Sequence, residues 1–139
     1  MRLDRQLDQY NVLIVNQHQS ATDIVIAALQ HSSKYGYDFQ TTTSIPRGKE
    51  LLELRHDLII SGLGNGWGDG YGFLEYVAKH TPRAKRIVMT GYGEGERRTA
   101  MSRGAQGFIP LPSGLDYIVD EVERVMELPE KVTKAIPTP

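Results

Sequence analysis

Hydrophobic and polar positions follow one another along the chain in blocks that predict parallel strands joined by helices. Continuous aliphatic runs are typical of strands covered on both faces, and three such runs occur: Val12–Val15, Leu58–Ile60 and Ile87–Met89. With two weaker runs they predict five strands, at Asn11–Val15, Tyr37–Thr42, Asp57–Ile60, Arg86–Met89 and Gly107–Ile109. The second strand alternates apolar and polar positions, which predicts an edge strand.

Amphipathic segments between these runs predict the helices. Ser20 with Asp23, and Ser113 with Asp116, resemble capping boxes that would begin the first and last helices. Further helices are predicted at Gly48–Arg55, Tyr71–His80 and Glu94–Arg103, and the last helix has one apolar stripe: Leu115, Ile118, Val119, Val122, Val125 and Met126. The pattern predicts an α/β domain of the (βα)5 type over residues 10–127, with a polar arm at 1–9 and a proline-containing tail or linker at 128–139.

Composition removes several classes of function. The chain has 139 residues, the length of one domain, and its 16 basic and 17 acidic residues do not make a polycationic nucleic-acid binder. It lacks the run of about 18 apolar residues that a membrane span needs. The absence of cysteine removes thiolate chemistry and cysteine zinc sites, and no two histidines stand at helical metal-ligand spacing. We therefore expect a cytoplasmic protein with no metal, no cofactor, no direct nucleic-acid contact and no membrane contact.

A glycine-rich segment follows the third predicted strand. Glycine occupies every even position from Gly62 to Gly72, whereas a dinucleotide fingerprint needs the offsets i, i+2 and i+5, and a P-loop needs Gly-Lys-Ser/Thr. Both nucleotide motifs are therefore missing, and a turn with close backbone approach explains the glycines. Trp67 inside it is either a binding anchor or a cover over the neighbouring pocket.

The order and spacing of these motifs resemble the receiver domain of two-component response regulators of the bacterial type. In that family an acidic pair after the first strand holds Mg²⁺, an aspartate ending the third strand accepts the phosphoryl group, a Ser or Thr ends the fourth strand, and a lysine precedes a cis-proline after the fifth. The matching positions in this chain are Asn16 and Gln17, Gly62, Thr90, and Leu111 before Pro112. The resemblance implies a flavodoxin-like, doubly wound parallel sheet with strand order 2-1-3-4-5.

Most of the phosphorylation chemistry is missing from these positions. Aspartyl phosphorylation needs a carboxylate nucleophile and a divalent cation held by hard oxygen ligands, whereas Gly62 has no side chain and Asn16 and Gln17 carry no charge. We therefore expect a degenerate receiver, or pseudo-receiver: a non-enzymatic module that signals or scaffolds through protein contacts without phosphorylation. Thr90 and the aromatic Phe108 match the family's switch positions, and each is either a remnant switch or an ordinary packing residue.

The same resemblance implies an interaction surface, because receivers commonly associate through the fourth helix, fifth strand and fifth helix. Charges of opposite sign occupy the two helices here: Arg97, Arg98 and Arg103 on the fourth, and Asp116, Asp120 and Glu123 on the fifth. These charges fit a homodimer or a protein partner, and they equally fit two solvated helix faces.

Two other functions stay open at this point. The chain is alternatively a flavodoxin-like domain that binds a small ligand or anion at the carboxyl ends of its strands and the Gly62–Gly72 loop. A phosphorelay enzyme that uses Asp57 or Asp69 is less favoured, because the resemblance places Asp57 at the start of its strand and Asp69 in a turn.

Overall fold

Five strands and five helices alternate along the part of the chain that the structure describes. The computed structural model describes residues 9–63 and 69–128. In chain order the elements are β1 (Gln9–Val15), α1 (Gln19–Ser32), β2 (Gly36–Thr42), α2 (Ile45–Leu51), β3 (Leu58–Ser61), α3 (Gly70–His80), β4 (Lys85–Thr90), α4 (Arg97–Ser102), β5 (Gly107–Pro110) and α5 (Leu115–Met126). The predicted arm and tail fall almost entirely on residues outside the described ones.

All five strands are parallel and lie in the order β2-β1-β3-β4-β5. The (βα)5 architecture and the strand order are therefore confirmed, and β2 is an edge strand as its alternating pattern predicts. None of the helices in the described part of the chain has the length and apolar character that crossing a bilayer requires.

Alternate residues of the central strands serve two separate cores. In β1, Val12 and Ile14 pack on one face of the sheet with residues of α1 and α5, while Leu13 and Val15 pack on the other with residues of α2 and α3. All four are fully buried. Because β1 is covered on both sides, its sequence is continuously aliphatic rather than alternating.

Both predicted capping boxes are wrong. The N-cap of α1 is His18 and that of α5 is Gly114, and neither makes a side-chain cap hydrogen bond. Ser20 lies inside the first turn of α1, and the hydroxyl of Ser113 donates to the carbonyl of Pro110 instead of capping α5. The chain enters α1 through Asn16, whose Oδ1 accepts from the backbone N–H of His18 at 2.9 Å.

The second and fourth helices also differ from their predicted limits. The α2 helix begins at Ile45 rather than Gly48, because Ser44 Oγ accepts from Arg47 N at 3.2 Å and Pro46 fits the first helical turn. The predicted fourth helix is divided into a single 3₁₀ turn, Glu94–Glu96, and the short α4.

A buried carboxylate joins α5 to β5. Glu121 is only 8% exposed, and its Oε2 accepts from the backbone N–H of Phe108 at 2.9 Å and from Arg124 at 2.8 Å. Burial by itself would raise the pKa of Glu121, but the bonds from Arg124 and from the Phe108 N–H outweigh it and lower the pKa below its ordinary value. The ionised form is therefore the one that the folded protein stabilises.

We expect Glu121→Gln to lower the free energy of unfolding at pH 7 by about 1 kcal/mol, because a neutral amide replaces a charged acceptor. Since the folded-state pKa is depressed, this stabilisation is complete above the ordinary pKa of a glutamate and is lost as the pH falls through the lower folded-state value. Urea denaturation at several pH values checks this. The difference between the two proteins should shrink below about pH 4.5. The exposed Asp120→Asn is the control and should show little difference at any pH; a pH-independent loss in Glu121→Gln would contradict the prediction.

Candidate functional site

The positions that the resemblance assigns to a receiver pocket lie at the carboxyl ends of four neighbouring strands. Asn16 follows β1, Gly62 follows β3, Thr90 ends β4 and Leu111 follows β5. Backbone hydrogen bonds join them across the sheet: Gly62 N donates to Val15 O at 2.9 Å, and Leu111 N donates to Thr90 O at 2.9 Å. The structure therefore brings these positions to one end of the sheet, which we call the carboxyl edge.

The side chain of Asn16 occupies the space beside Gly62. Asn16 is 4% exposed, and a Cβ atom placed on Gly62 would lie 2.6 Å from its Nδ2 and 3.0 Å from its Cγ. Carbon atoms do not approach that closely without displacing a neighbour. Because Oδ1 of Asn16 is also held by the His18 N–H, the amide has a fixed place in this contact. Any larger residue at position 62 would have to displace it.

The other positions of the carboxyl edge are engaged in local contacts. Thr90 is buried, and its Oγ1 accepts from the backbone N–H of Tyr92 at 3.1 Å. Leu111 is half-buried and packs against the core shared by α1 and α5, and a cis peptide bond joins it to the exposed Pro112. Gln17 Nε2 lies 2.9 Å from the Nε2 of His18. At this edge, therefore, no formal charge is carried by Thr90, Leu111 or Gln17.

The two candidate acids of a phosphorelay have structural partners. Asp69 is the N-cap of α3 and accepts from Gly72 N at 2.8 Å. Asp57 lies at the opposite end of β3, where its Oδ2 accepts from Asn11 N at 2.8 Å. Among residues 9–63 and 69–128, no three His, Asp or Glu side chains come together as a metal site would need.

Close backbone approach accounts for a glycine of the β3–α3 connection. A Cβ on Gly70 would lie 2.8 Å from the carbonyl oxygen of Gly62 and 3.1 Å from Cα of Leu63. The start of α3 therefore packs directly on the end of β3, which only glycine allows at that position. Residues 64–68, which include Trp67, lie outside the described residues.

Phe108 is fully buried, and polar side chains hold its backbone from both sides. Its carbonyl accepts from the hydroxyl of Tyr117 at 3.2 Å, and its N–H donates to Glu121. The guanidinium of Arg97 lies 5.0 Å from the centre of the Phe108 ring and donates to the Tyr117 oxygen at 3.1 Å. The sequence analysis did not identify Tyr117 and Glu121 as partners of the Phe108 backbone. Their spacing, four residues apart beside the apolar stripe of α5, was a signal that both side chains point to the same side of the helix.

Two of the three arginines near α4 have partners within the chain. Arg97 forms an ion pair with Glu94, its Nε lying 2.7 Å from Oε1, and this carboxylate raises the pKa of Arg97. Arg103 pairs with Glu75 at 2.7 Å. Arg98 is exposed, and the structure gives it no ion pair within the described residues.

The acidic residues of α5 point in two directions. Asp116 and Asp120 are exposed, whereas Glu123 is half-buried and accepts from the hydroxyl of Ser33, at the end of α1, at 3.1 Å. The predicted basic and acidic sets therefore do not pair with each other inside one chain. Of these residues, Arg98, Asp116 and Asp120 are the exposed charges left for an external partner.

Comparison with known proteins gives a consistent structural result. No protein-family model matches the sequence, and no curated protein matches it. Solved structures do match, among them a CheY-like response regulator receiver domain protein from Methanospirillum hungatei, at a TM-score of 0.74 and 21% identity over 86% of this chain and 94% of that one.

Two further structures give the same result. A response regulator from Thermotoga maritima has a TM-score of 0.75 and 18% identity over 86% of this chain and 98% of that chain. The non-phosphorylated HemR receiver domain from Leptospira biflexa has a TM-score of 0.70 and 23% identity over 87% and 97%. At these identities the similarity establishes the architecture: the chain has the CheY-like fold of response regulator receiver domains.

Proposed function

We propose that this chain is a phosphorylation-independent, receiver-like module that signals or scaffolds through protein contacts. The observation that carries the proposal is the contact between Asn16 and Gly62. A neutral amide, hydrogen-bonded to the backbone of His18, fills the space beside Gly62, where the resemblance would put a phospho-accepting side chain. The carboxyl edge is thus packed and hydrogen-bonded by the protein itself.

The chemistry of phosphoryl transfer supports the same conclusion. A receiver must supply a carboxylate nucleophile, ligands for a divalent cation and a positive charge for the phosphoryl oxygens. The corresponding positions hold Gly62, the neutral pair Asn16 and Gln17, and the apolar Leu111. Neutral amide oxygens alone bind Mg²⁺ weakly, because carboxylate charge contributes much of the affinity of such sites. These substitutions support a role that does not depend on phosphoryl transfer.

The proposed contact surface is called the α4–β5–α5 face. It consists of Arg98 and Met101 on α4, Asp116, Tyr117 and Asp120 on α5, and Tyr92 from the segment between β4 and α4. Tyr92 is 52% exposed, Met101 39% and Tyr117 37%. Aromatic residues, methionine and arginine are enriched in protein interfaces, and charges around them add specificity. Partner binding at this face would select the conformational state that phosphorylation selects in receivers with an intact pocket.

The first test is phosphorylation itself. Incubated with Mg²⁺ and a small acyl-phosphate donor, the wild-type protein should show no phosphoryl adduct by mass spectrometry, and Gly62→Asp should show none either because the cation ligands and the lysine are still missing. The fourfold variant Asn16→Asp/Gln17→Asp/Gly62→Asp/Leu111→Lys restores all these groups and should gain a Mg²⁺-dependent adduct. A stable adduct on the wild-type chain would overturn the proposal.

The second test concerns the packing at Gly62. We expect Gly62→Ala to lower the free energy of unfolding by about 1–3 kcal/mol, because its Cβ overlaps the amide of Asn16. Gly91→Ala, at the end of neighbouring β4, is the matched control, since a Cβ there meets no atom within 4 Å. Urea denaturation measures both. Asn16→Ala in the Gly62→Ala background should recover part of the loss, and equal stability of the two glycine variants would refute the contact.

The third test concerns the α4–β5–α5 face. If two copies associate through it, Arg98 of one copy meets Asp116 or Asp120 of the other, and Arg98→Glu should weaken the dimer about tenfold through like-charge repulsion. Sedimentation velocity over a concentration series measures this. Arg47→Glu, an exposed arginine on α2, is the control, and Arg98→Glu/Asp120→Arg should restore association. A monomer at every concentration would leave the face to a different protein and exclude the homodimer.

A further inference from the structure

A groove lies at the opposite end of the sheet, where the strands begin. It has a volume of about 470 Å³ and is lined by Tyr10 of β1, by the segment 54–57 that precedes β3, and by residues around Arg83 and Lys85 before and at the start of β4. We call it the amino-edge groove. Pockets for small molecules usually measure roughly 300–1,000 Å³, so its size fits such a ligand.

Positive charge dominates the ionic side chains of this groove. Among the described residues, Arg55, Arg83 and Lys85 line it together with one carboxylate, Asp57. That carboxylate is held against the protein, because its Oδ2 accepts from the backbone of Asn11 at 2.8 Å. Lys85 Nζ lies 3.6 Å from the exposed carboxylate of Glu127, a distance that leaves the pair weak. Counted over the described residues, the groove therefore carries a net positive charge that neighbouring carboxylates do not cancel.

The guanidinium groups of Arg55 and Arg83 face solvent. Arg55 and Arg83 are exposed, and neither has an ion pair within the described residues. The adjacent Arg86 is different: its guanidinium donates to the carbonyls of Gly104 at 2.7 Å and Ala84 at 2.8 Å, and burial lowers its pKa. Arg86 thus holds backbone together, while Arg55 and Arg83 leave their planar donor sets available to an anion.

The wall of the groove also contains an apolar side chain and a buried polar atom that lacks a hydrogen-bond partner among the described residues. Leu54 is 49% exposed and lines the groove, as Tyr10 does. His56 uses Nε2 to bond the carbonyl of Leu51 at 2.9 Å, which leaves Nδ1 buried and without a hydrogen-bond partner among the described residues. Buried polar atoms are normally satisfied by protein or by ordered water, so this wall has one hydrogen bond that the described residues do not supply.

We propose that the amino-edge groove binds a phosphate-bearing small molecule. Two guanidinium groups and one ammonium suit a doubly charged phosphate, whose oxygens accept paired hydrogen bonds from arginine. The apolar part of the ligand lies against Tyr10 and Leu54. This site is separate from the carboxyl edge, because the seven residues of β1 span about 20 Å between them. The proposal is independent of the proposed function at that edge.

The test is a titration of the ¹⁵N-labelled protein at low ionic strength, followed by amide chemical shifts. Inorganic phosphate, pyrophosphate and adenosine monophosphate are the probes, with adenosine as the uncharged control. We expect saturable shifts at the amides of Tyr10, residues 54–57 and residues 83–85 with the phosphate-bearing probes. Adenosine should give none, and added salt should weaken the binding.

Paired variants decide whether the arginines carry the binding. Arg55→Gln/Arg83→Gln should raise the dissociation constant about tenfold or more, because the charged donors are lost. Arg47→Gln/Lys49→Gln removes the same charge from two exposed positions on α2 and should leave binding unchanged. The proposal is overturned if no probe gives saturable shifts at millimolar concentration, if the shifts map to the carboxyl edge, or if both pairs of substitutions have the same effect.

Discussion

Burial of the parallel sheet on both faces is the constraint on which the rest of the structure depends. Val12 and Ile14 face one layer of helices, Leu13 and Val15 face the other, and water reaches none of them. A polar side chain in the middle of such a strand would lose its hydration without gaining a partner. Polar groups of the central strands therefore collect where the strands begin and end.

The polar groups at the two edges make different kinds of contact. At the carboxyl edge the polar groups bond to neighbouring backbone, as Thr90 does to Tyr92 and Asn16 to His18. At the amino edge Arg55 and Arg83 extend into solvent with no ion pair among the described residues. A ligand binds readily where it replaces solvent or weak contacts, because fixed internal hydrogen bonds would first have to be broken. At the carboxyl edge the polar groups already make such internal hydrogen bonds. At the amino edge the two arginines face solvent.

The sequence predicts the fold well because double-sided burial produces continuous aliphatic runs that are difficult to mistake. The strand order is different: it came from the resemblance to receivers, since periodicity alone does not order strands. The prediction of a helix start was wrong at Ser20, where a local capping signal competed with the tertiary path of the chain. At Ser44 and Pro46 the sequence did contain a start signal, but the apolar pattern concealed it. The contact of Asn16 with Gly62 was beyond prediction, because it depends on how closely β1 and β3 approach.

Helix α3 is connected with each of the three regions for which a function is proposed, because it packs on the carboxyl edge, leads into the amino-edge groove and shares a core with α4 and β5. Its first residue, Gly70, packs on the backbone of Gly62, and the segment after its last residue leads into the amino-edge groove. Its exposed ion pair between Glu75 and Arg103 reaches the residue that follows α4, but solvent screening keeps such a pair weak. Leu74 is the stronger link: it is 1% exposed and belongs to the core that contains Ala100 and Phe108, where burial of one such side chain stabilises by about 1.5–3 kcal/mol. A movement of α3 would therefore affect α4 and β5 mainly through the packing of Leu74, and much less through the surface ion pair.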